Sequence, residues 1–312
     1  MYKIALVGYG KVGRAIYHAA QKYREMSITA VADPRFGHGL NPPAGVDAIE
    51  GSGRTSFPWK RIRPDLVIEA SGSAVDRKSA EEHLLAGAKR VLVTSSMPDP
   101  DVTLISGVNE EAFSRNRHKI ISASSCTTVC AAPLVNLIDR EFGINGGRFI
   151  IKHGYDPKNI ASDVDLNRVD ADAVIKLGRG DEFAYRTNFV RNTEGVLPQL
   201  SGKMSAESYY TPLDRALFFR TSLQLKASPN AKEINERVIE GSEGDLKGIL
   251  KYVDRSVNLC QIIPGNPFST IFFGEFTSAG DGQANLYFGG DYINGYAARV
   301  LGLVRYLALK NK

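Results

Sequence analysis

Apolar residues in the first part of the chain alternate between short unbroken runs and helical stripes. Lys3 to Val7 reads as a buried strand, Arg14 to Tyr23 as a helix, and Ser27 to Ala32 as a second strand ending at Asp33. Residues 34–63 carry scattered Gly and Pro and predict loop or irregular structure. Beyond them Asp65 to Ala70 is strand, Ala74 to Ala86 helix, Arg90 to Thr94 strand, Asn109 to Asn116 a short helix and Lys119 to Ser122 strand. Such alternation predicts a doubly wound parallel sheet, because each parallel crossover brings a helix onto a sheet face.

The pattern then changes. Gly147 to Lys152 reads as a strand that delivers His153, and the polar segment Asp156 to Arg191 has weak periodicity and predicts extended loops. Strand-like runs recur at Leu217 to Lys226, Thr270 to Phe276 and Gln283 to Phe288, with helices at Ala231 to Gly241 and Leu246 to Tyr252. That mixture predicts an α+β domain with an antiparallel sheet. Gly295 to Leu309 closes the chain as an amphipathic helix, with Val300, Leu301, Leu303, Val304 and Leu307 as its apolar positions.

Two motifs carry chemistry. Gly8-Tyr9-Gly10-Lys11-Val12-Gly13 lies between the first strand and the first helix, and Asp33 follows twenty residues after the last glycine. This is the dinucleotide fingerprint of a Rossmann-type sheet. The glycines allow a tight turn, close approach of a pyrophosphate and tight helix packing, and the pyrophosphate would sit on the helix N-terminus. Asp33 would accept hydrogen bonds from the adenosine ribose, which favours NAD; Arg35 offers the 2′-phosphate of NADP a counter-charge. The second motif is Ser125-Cys126-Thr127-Thr128-Val129-Cys130, where an apolar helical run begins. A helix N-terminus stabilises a thiolate and binds anions, and the flanking hydroxyls add donors, so Cys126 reads as a nucleophile beside an oxyanion or phosphate site. Cys130 and Cys260 read as small buried hydrophobes, and His18, His38, His83 and His118 as surface or helix positions.

Composition narrows the setting. The chain has 312 residues, enough for two sub-domains. Hydrophobic residues at 43% and charged residues at 23% are ordinary for a soluble globular protein. The net charge of +5 suits anionic small molecules as much as nucleic acid. Trp59-Lys60-Arg61-Ile62-Arg63 reads as a solvated basic loop rather than a nucleic-acid patch. Three cysteines do not make a disulfide framework, which points to a reducing cytoplasm. Met1-Tyr2-Lys3 runs into the first strand, so no signal peptide is expected, and no apolar run is long enough to span a bilayer. No Cys/His cluster has metal-ligand spacing.

The ordered set of motifs resembles the glyceraldehyde-3-phosphate dehydrogenase family over nearly the full length. It comprises Gly8 to Arg14, Ala86-Gly87-Ala88-Lys89-Arg90, Gly107-Val108-Asn109, Ser125 to Leu134 and Lys152-His153-Gly154-Tyr155. Leu197 to Lys203, Phe219-Arg220, Glu243 to Leu250 and Gly295-Tyr296 complete it. The resemblance implies a dinucleotide-binding domain of residues 1–125 and 292–312 and a catalytic domain of residues 126–291. It implies that Cys126 attacks an aldehyde as thiolate, that His153 pairs with the thiol and takes the hydroxyl proton as hydride leaves for the nicotinamide, and that phosphate cleaves the thioester. Ser125, Thr127 and Thr187 match the inorganic-phosphate site. Arg220, within an apolar strand run, is the candidate for the substrate's own phosphate. Gly8, Gly10, Lys11, Val12, Gly13, Asp33, Thr94 and Tyr292 fall at cofactor positions. An anionic aldehyde, inorganic phosphate and a homotetrameric assembly are the implied partners.

The chain departs from the family's pattern at defined places. Asp156 stands for a substrate-binding threonine, Lys158 for an aspartate, Tyr292 for the asparagine that holds the nicotinamide carboxamide, and Val129 for another asparagine. Gly289-Gly290 replaces an aromatic pair, and the stretch from Asp33 to Asp65 is short. These changes spare the nucleophile, the base and the dinucleotide turn, so the expectation is retained chemistry on a changed substrate. Two alternatives stand beside it: a catalytically impaired nucleotide-binding paralogue with a regulatory role, and a semialdehyde dehydrogenase whose Arg220 binds a carboxylate.

Overall fold

A computed structural model describes residues 1–51, 56–73, 76–156, 164, 169, 172, 173, 176, 179–255 and 258–310. The chain forms two compact units, Met1–Cys126 with Ala297–Lys312, and Thr127–Tyr296. Among the described residues no helix is long and apolar enough to cross a membrane.

The first unit contains β1 (Tyr2–Val7), α1 (Lys11–Ala20), β2 (Met26–Ala32), β3 (Asp47–Ile49), α2 (Trp59–Ile62), β4 (Leu66–Glu69), α3 (Arg77–Leu85), β5 (Val91–Val93), β6 (Val102–Thr103) and β7 (Ile120–Ser122). Its seven strands run in the order β3-β2-β1-β4-β5-β7-β6, and every pair is parallel. Strands covered on both faces read as unbroken apolar runs, and Ile4, Leu6, Ile68 and Leu92 are fully buried. The chain winds outward from β1 to β3 and then returns to β4 on the other side of β1. Such a reversal opens a crevice at the carboxyl ends of the strands. Local chemistry sets the helix starts: Gly10 is the N-cap of α1, and the Asp76 side chain caps α3 by accepting from Ser79 N.

The second unit holds an eight-stranded sheet. Its strands are β8 (Ile144–Gly154), β9 (Phe183–Tyr185), β10 (Met204–Thr211), β11 (Ala216–Leu225), β12 (Leu250–Val253), β13 (Thr270–Phe273), β14 (Ser278–Gly280) and β15 (Gln283–Asp291). The order is β12-β13-β15-β11-β8-β10-β9, with β14 on β15. Its centre, β15-β11-β8, is antiparallel as expected, while β10 on β8 and β12 on β13 are parallel, so the sheet is mixed.

Four local expectations are corrected. Residues 34–63 contain β3 and α2; β3 is a three-residue edge strand with no buried side chain, so it leaves no apolar pattern. Residues 244–249 turn and lead into β12 where a helix was expected, and Gly248 takes a left-handed φ of 77° there. β10 escapes the pattern because Ser208 and Tyr210 are its only buried positions. The segment Asp156 to Arg191 contains β9 and the start of a helix, Phe189–Val196, whose buried Phe189, Thr193 and Val196 share one face. Lys158 lies outside the described residues, as does the Cys260 side chain.

Candidate active site

In the first unit the glycine turn follows β1. Gly8 has φ 89°, and a Cβ there would stand 2.5 Å from the backbone of Ser71 beyond β4. A Cβ on Gly13 would lie 1.9 Å from the Gly8 carbonyl oxygen, so this helix-to-turn contact requires glycine. Gly10 differs: a Cβ there would meet nothing within 4 Å. Gly10 gives α1 no side-chain cap, and the first N–H groups of a helix have no intrahelical acceptor. An open cradle at an uncapped helix N-terminus fits a pyrophosphate.

Asp33, at the carboxyl end of β2, is buried and accepts from Tyr9 N at 2.7 Å. Arg35 closes on it with its own N–H at 2.9 Å and with Nε and Nη2 at 2.8 Å each. Burial raises the Asp33 carboxyl, but the Arg35 and Tyr9 hydrogen bonds outweigh it and hold the pKa at about 2. At the end of β5, Thr94 N and Oγ1 both donate to the Glu69 carbonyl, at 2.9 and 3.1 Å.

Beneath this rim lies a buried polar chain that the sequence did not announce. His83, expected at a surface or helix position, is fully buried on α3. Its Nδ1 accepts from the Trp59 indole N–H at 3.1 Å, so Nε2 carries the proton and donates to Glu69 at 2.9 Å. The other Glu69 oxygen accepts from Ser71 N at 2.8 Å. Burial pushes the Glu69 carboxyl up, but the His83 and Ser71 hydrogen bonds more than reverse it and hold it below its ordinary value. Ser71 is the residue against which Gly8 packs, so this chain anchors the loop that backs the glycine turn. The periodic Ala80 and His83, both buried, were the available signal.

Cys126 is the first residue of α4 (Cys126–Phe142), and its thiol is half-buried. The turn into it is tight. Ser122 Oγ donates to Ser95 O at 2.8 Å and accepts from Ser124 N at 3.0 Å, while buried Ser124 holds a left-handed φ of 61°. A non-glycine residue in that region costs about 1 kcal/mol, a strain that recurs at functional turns. Ser125 is half-buried and Thr127 buried.

In the second unit His153 sits on β8. Its Nδ1 is 3.0 Å from the Gly154 carbonyl oxygen, which can only accept. Nδ1 therefore donates, and Nε2 keeps the lone pair a base requires. Tyr292, directly after β15, packs its ring 4.5 Å from the imidazole, and Tyr210 on β10 meets it edge-on at 5.5 Å. Tyr292 N donates to Arg215 O. Tyr210 is a site residue that sequence reasoning missed; it pairs directly with His153 across the parallel β8–β10 ladder. Asp156 follows buried Tyr155 and is half-buried. Thr187 Oγ1 accepts from Phe189 N at 3.2 Å at the start of a helix, which leaves its O–H proton to be donated.

Arg220 is corrected. It pairs in register with Ile150 on β8, and Ile150 lies three residues before His153. Residues an odd number apart on a strand face opposite sides, so Arg220 points away from the His153 face. It is exposed there, beside a groove of about 650 Å³ lined by Ile150, Lys152, Glu182, Tyr209 and Tyr287. The apolar run around it belongs to the buried Phe219 side of the strand, so no ligand anion is needed to explain the charge.

A family model described as the C-terminal domain of glyceraldehyde 3-phosphate dehydrogenase matches residues 125–286. Glyceraldehyde-3-phosphate dehydrogenase 2 of Bacillus subtilis (strain 168) is 30% identical over 99% of this chain and 98% of its own length. The enzymes of that name from Mycobacterium avium and Mycobacterium bovis (strain BCG / Pasteur 1173P2) are 29% and 32% identical, each over 97% of both chains.

Proposed function

Because the chain belongs to the glyceraldehyde-3-phosphate dehydrogenase family, we propose that it is a nicotinamide-dependent aldehyde oxidoreductase working through a thioester on Cys126. The observation that carries this reading is Cys126 itself, a half-buried thiol at the first residue of a long helix, behind the strained Ser124 turn. Gly8, Gly10, Lys11, Val12, Gly13 and Thr94 would hold the dinucleotide, with Asp33 positioning Arg35 beside it, and the nicotinamide ring supplies a hydride acceptor when bound.

Cys126 as thiolate adds to the aldehyde carbon, and the carbonyl oxygen becomes the hydroxyl of a thiohemiacetal. His153 Nε2 takes that hydroxyl proton as the C–H hydride departs, leaving an acyl thioester on sulfur. The backbone N–H of Cys126 stabilises the oxyanion. Inorganic phosphate, on the Ser125, Thr127 and Thr187 hydroxyls, attacks the acyl carbon; the C–S bond breaks and the thiolate returns.

The aldehyde differs from glyceraldehyde 3-phosphate. Arg220 lies off the His153 face, two tyrosine rings flank the base, and Asp156 puts a carboxylate where a phosphodianion would be repelled. The chain works in the cytoplasm as a homotetramer; the groove on the Arg220 face of the second sheet, with Phe276 46% exposed, offers apolar surface for a further copy. Light scattering tests the assembly.

A spectrophotometric scan tests the function. Purified protein is given phosphorylated and non-phosphorylated aldehydes with NAD or NADP, with and without phosphate. The expected result is reduction of the nicotinamide on at least one aldehyde, abolished in Cys126→Ser. Turnover that persists in Cys126→Ser sinks the thioester route, and nucleotide binding without turnover on any aldehyde favours the regulatory paralogue.

A further inference from the structure

We propose that Arg35 sets nucleotide choice, so that the site takes a 2′-phosphorylated adenosine at least as well as its unphosphorylated counterpart. This rests on the reading of the first unit as a dinucleotide site. The four hydrogen bonds to Asp33 fill its carboxylate. Oδ1 accepts from Arg35 N and Nε, and Oδ2 accepts from Tyr9 N and Arg35 Nη2. Each carboxylate oxygen has two lone pairs, and all are taken by the protein's own N–H groups. A ribose 2′-hydroxyl therefore finds no vacant acceptor on Asp33 unless the guanidinium leaves.

A 2′-phosphate meets the opposite situation. The Asp33–Arg35 pair is neutral as a unit, so the carboxylate no longer repels a dianion. The guanidinium side chain is 56% exposed, and its unused N–H groups are free to donate to phosphate oxygens in the planar fork that suits them. The loop that carries Arg35 is itself held. The Arg35 carbonyl accepts from His38 N at 3.0 Å and Leu40 N at 3.3 Å, and Phe36 N donates to Asp33 O at 3.2 Å. Glu50, which lies beside Gly37 of this loop, is engaged by His38 Nε2 at 3.0 Å.

Calorimetric titration of the full chain with adenosine 2′,5′-bisphosphate and with 5′-AMP tests this without any turnover. The bisphosphate is expected to bind at least as tightly as AMP. Arg35→Ala should weaken the bisphosphate about tenfold or more while AMP binding holds or improves. Because Arg35→Ala strips two side-chain donors from buried Asp33, the variant should melt below the parent, and the titrations are run well below both melting temperatures. AMP binding about tenfold tighter than the bisphosphate in the parent protein, or an unchanged ratio in Arg35→Ala, would overturn the assignment and leave the dinucleotide reading intact. Binding of neither compound would remove both.

Discussion

Arg220 and His153 point to opposite faces of the same sheet, because Arg220 is in register with Ile150 and not with His153. If the chemistry runs through His153, the Arg220 guanidinium takes no part in it. Arg220→Ala should leave kcat/KM on the best aldehyde within about threefold, whereas His153→Asn should lower kcat by about 10²- to 10⁴-fold. Steady-state kinetics on the two variants check this. A large KM rise in Arg220→Ala alone would restore the arginine to the substrate site.

Cys126 should titrate below an ordinary thiol. A helix N-terminus favours the thiolate over a free cysteine pKa of about 8.5, and His153 acting as its base would favour it further. Iodoacetamide labelling against pH, read by mass spectrometry of the Cys126 peptide, should show a midpoint at least about one unit lower. His153→Asn should move that midpoint upward. A midpoint unaffected by His153→Asn would argue that the two residues do not act as a pair.

The Glu69–His83 bond, with both side chains almost wholly buried, supports the first unit. His83→Leu would remove the acceptor of the Trp59 indole N–H and a donor from Glu69 Oε2, and should cost about 3 kcal/mol or more in denaturant melts. The Glu69 carboxyl is held below its ordinary value, so its contribution is full above the unfolded carboxyl's pKa and is lost as pH falls through the folded one. The deficit of Glu69→Ala should therefore be constant at neutral pH and shrink in acid. A deficit that grew on acidification would contradict the assignment.

Two glycines of one turn should respond differently. Gly13→Ala forces a Cβ onto the Gly8 carbonyl and should destabilise the fold by about 2 kcal/mol or more. Gly10→Ala projects into open space and should melt within about 0.5 kcal/mol of the parent. It should nevertheless weaken nucleotide binding, because the cradle it fills is where a pyrophosphate would approach. Thermal melts and nucleotide titrations on the pair separate the two roles.

Features whose cause is local were legible in the residues. The glycine turn, the acid after β2, the thiol at a helix start and the strand–helix alternation each depend on a few neighbouring φ angles or on one apolar period. Features that depend on register were not legible. β10 carries Ser208 and Tyr210 as its only buried positions, so no apolar alternation marked it, and its Tyr210 went unseen beside His153. His83 looked like one polar residue on a helix until Trp59 and Glu69 came to it from elements far along the chain.

By itself, then, the sequence determined the parallel sheet, the dinucleotide turn and the position of Cys126 at the head of a helix, because local backbone preference and hydrophobic period suffice for these. Only the tertiary structure decided that Arg220 faces away from His153, that two tyrosines wall the imidazole, and that Arg35 fills the Asp33 carboxylate. The face a strand residue takes reverses with a one-residue change of register, and a side chain's hydrogen-bond partner is settled only when distant segments pack.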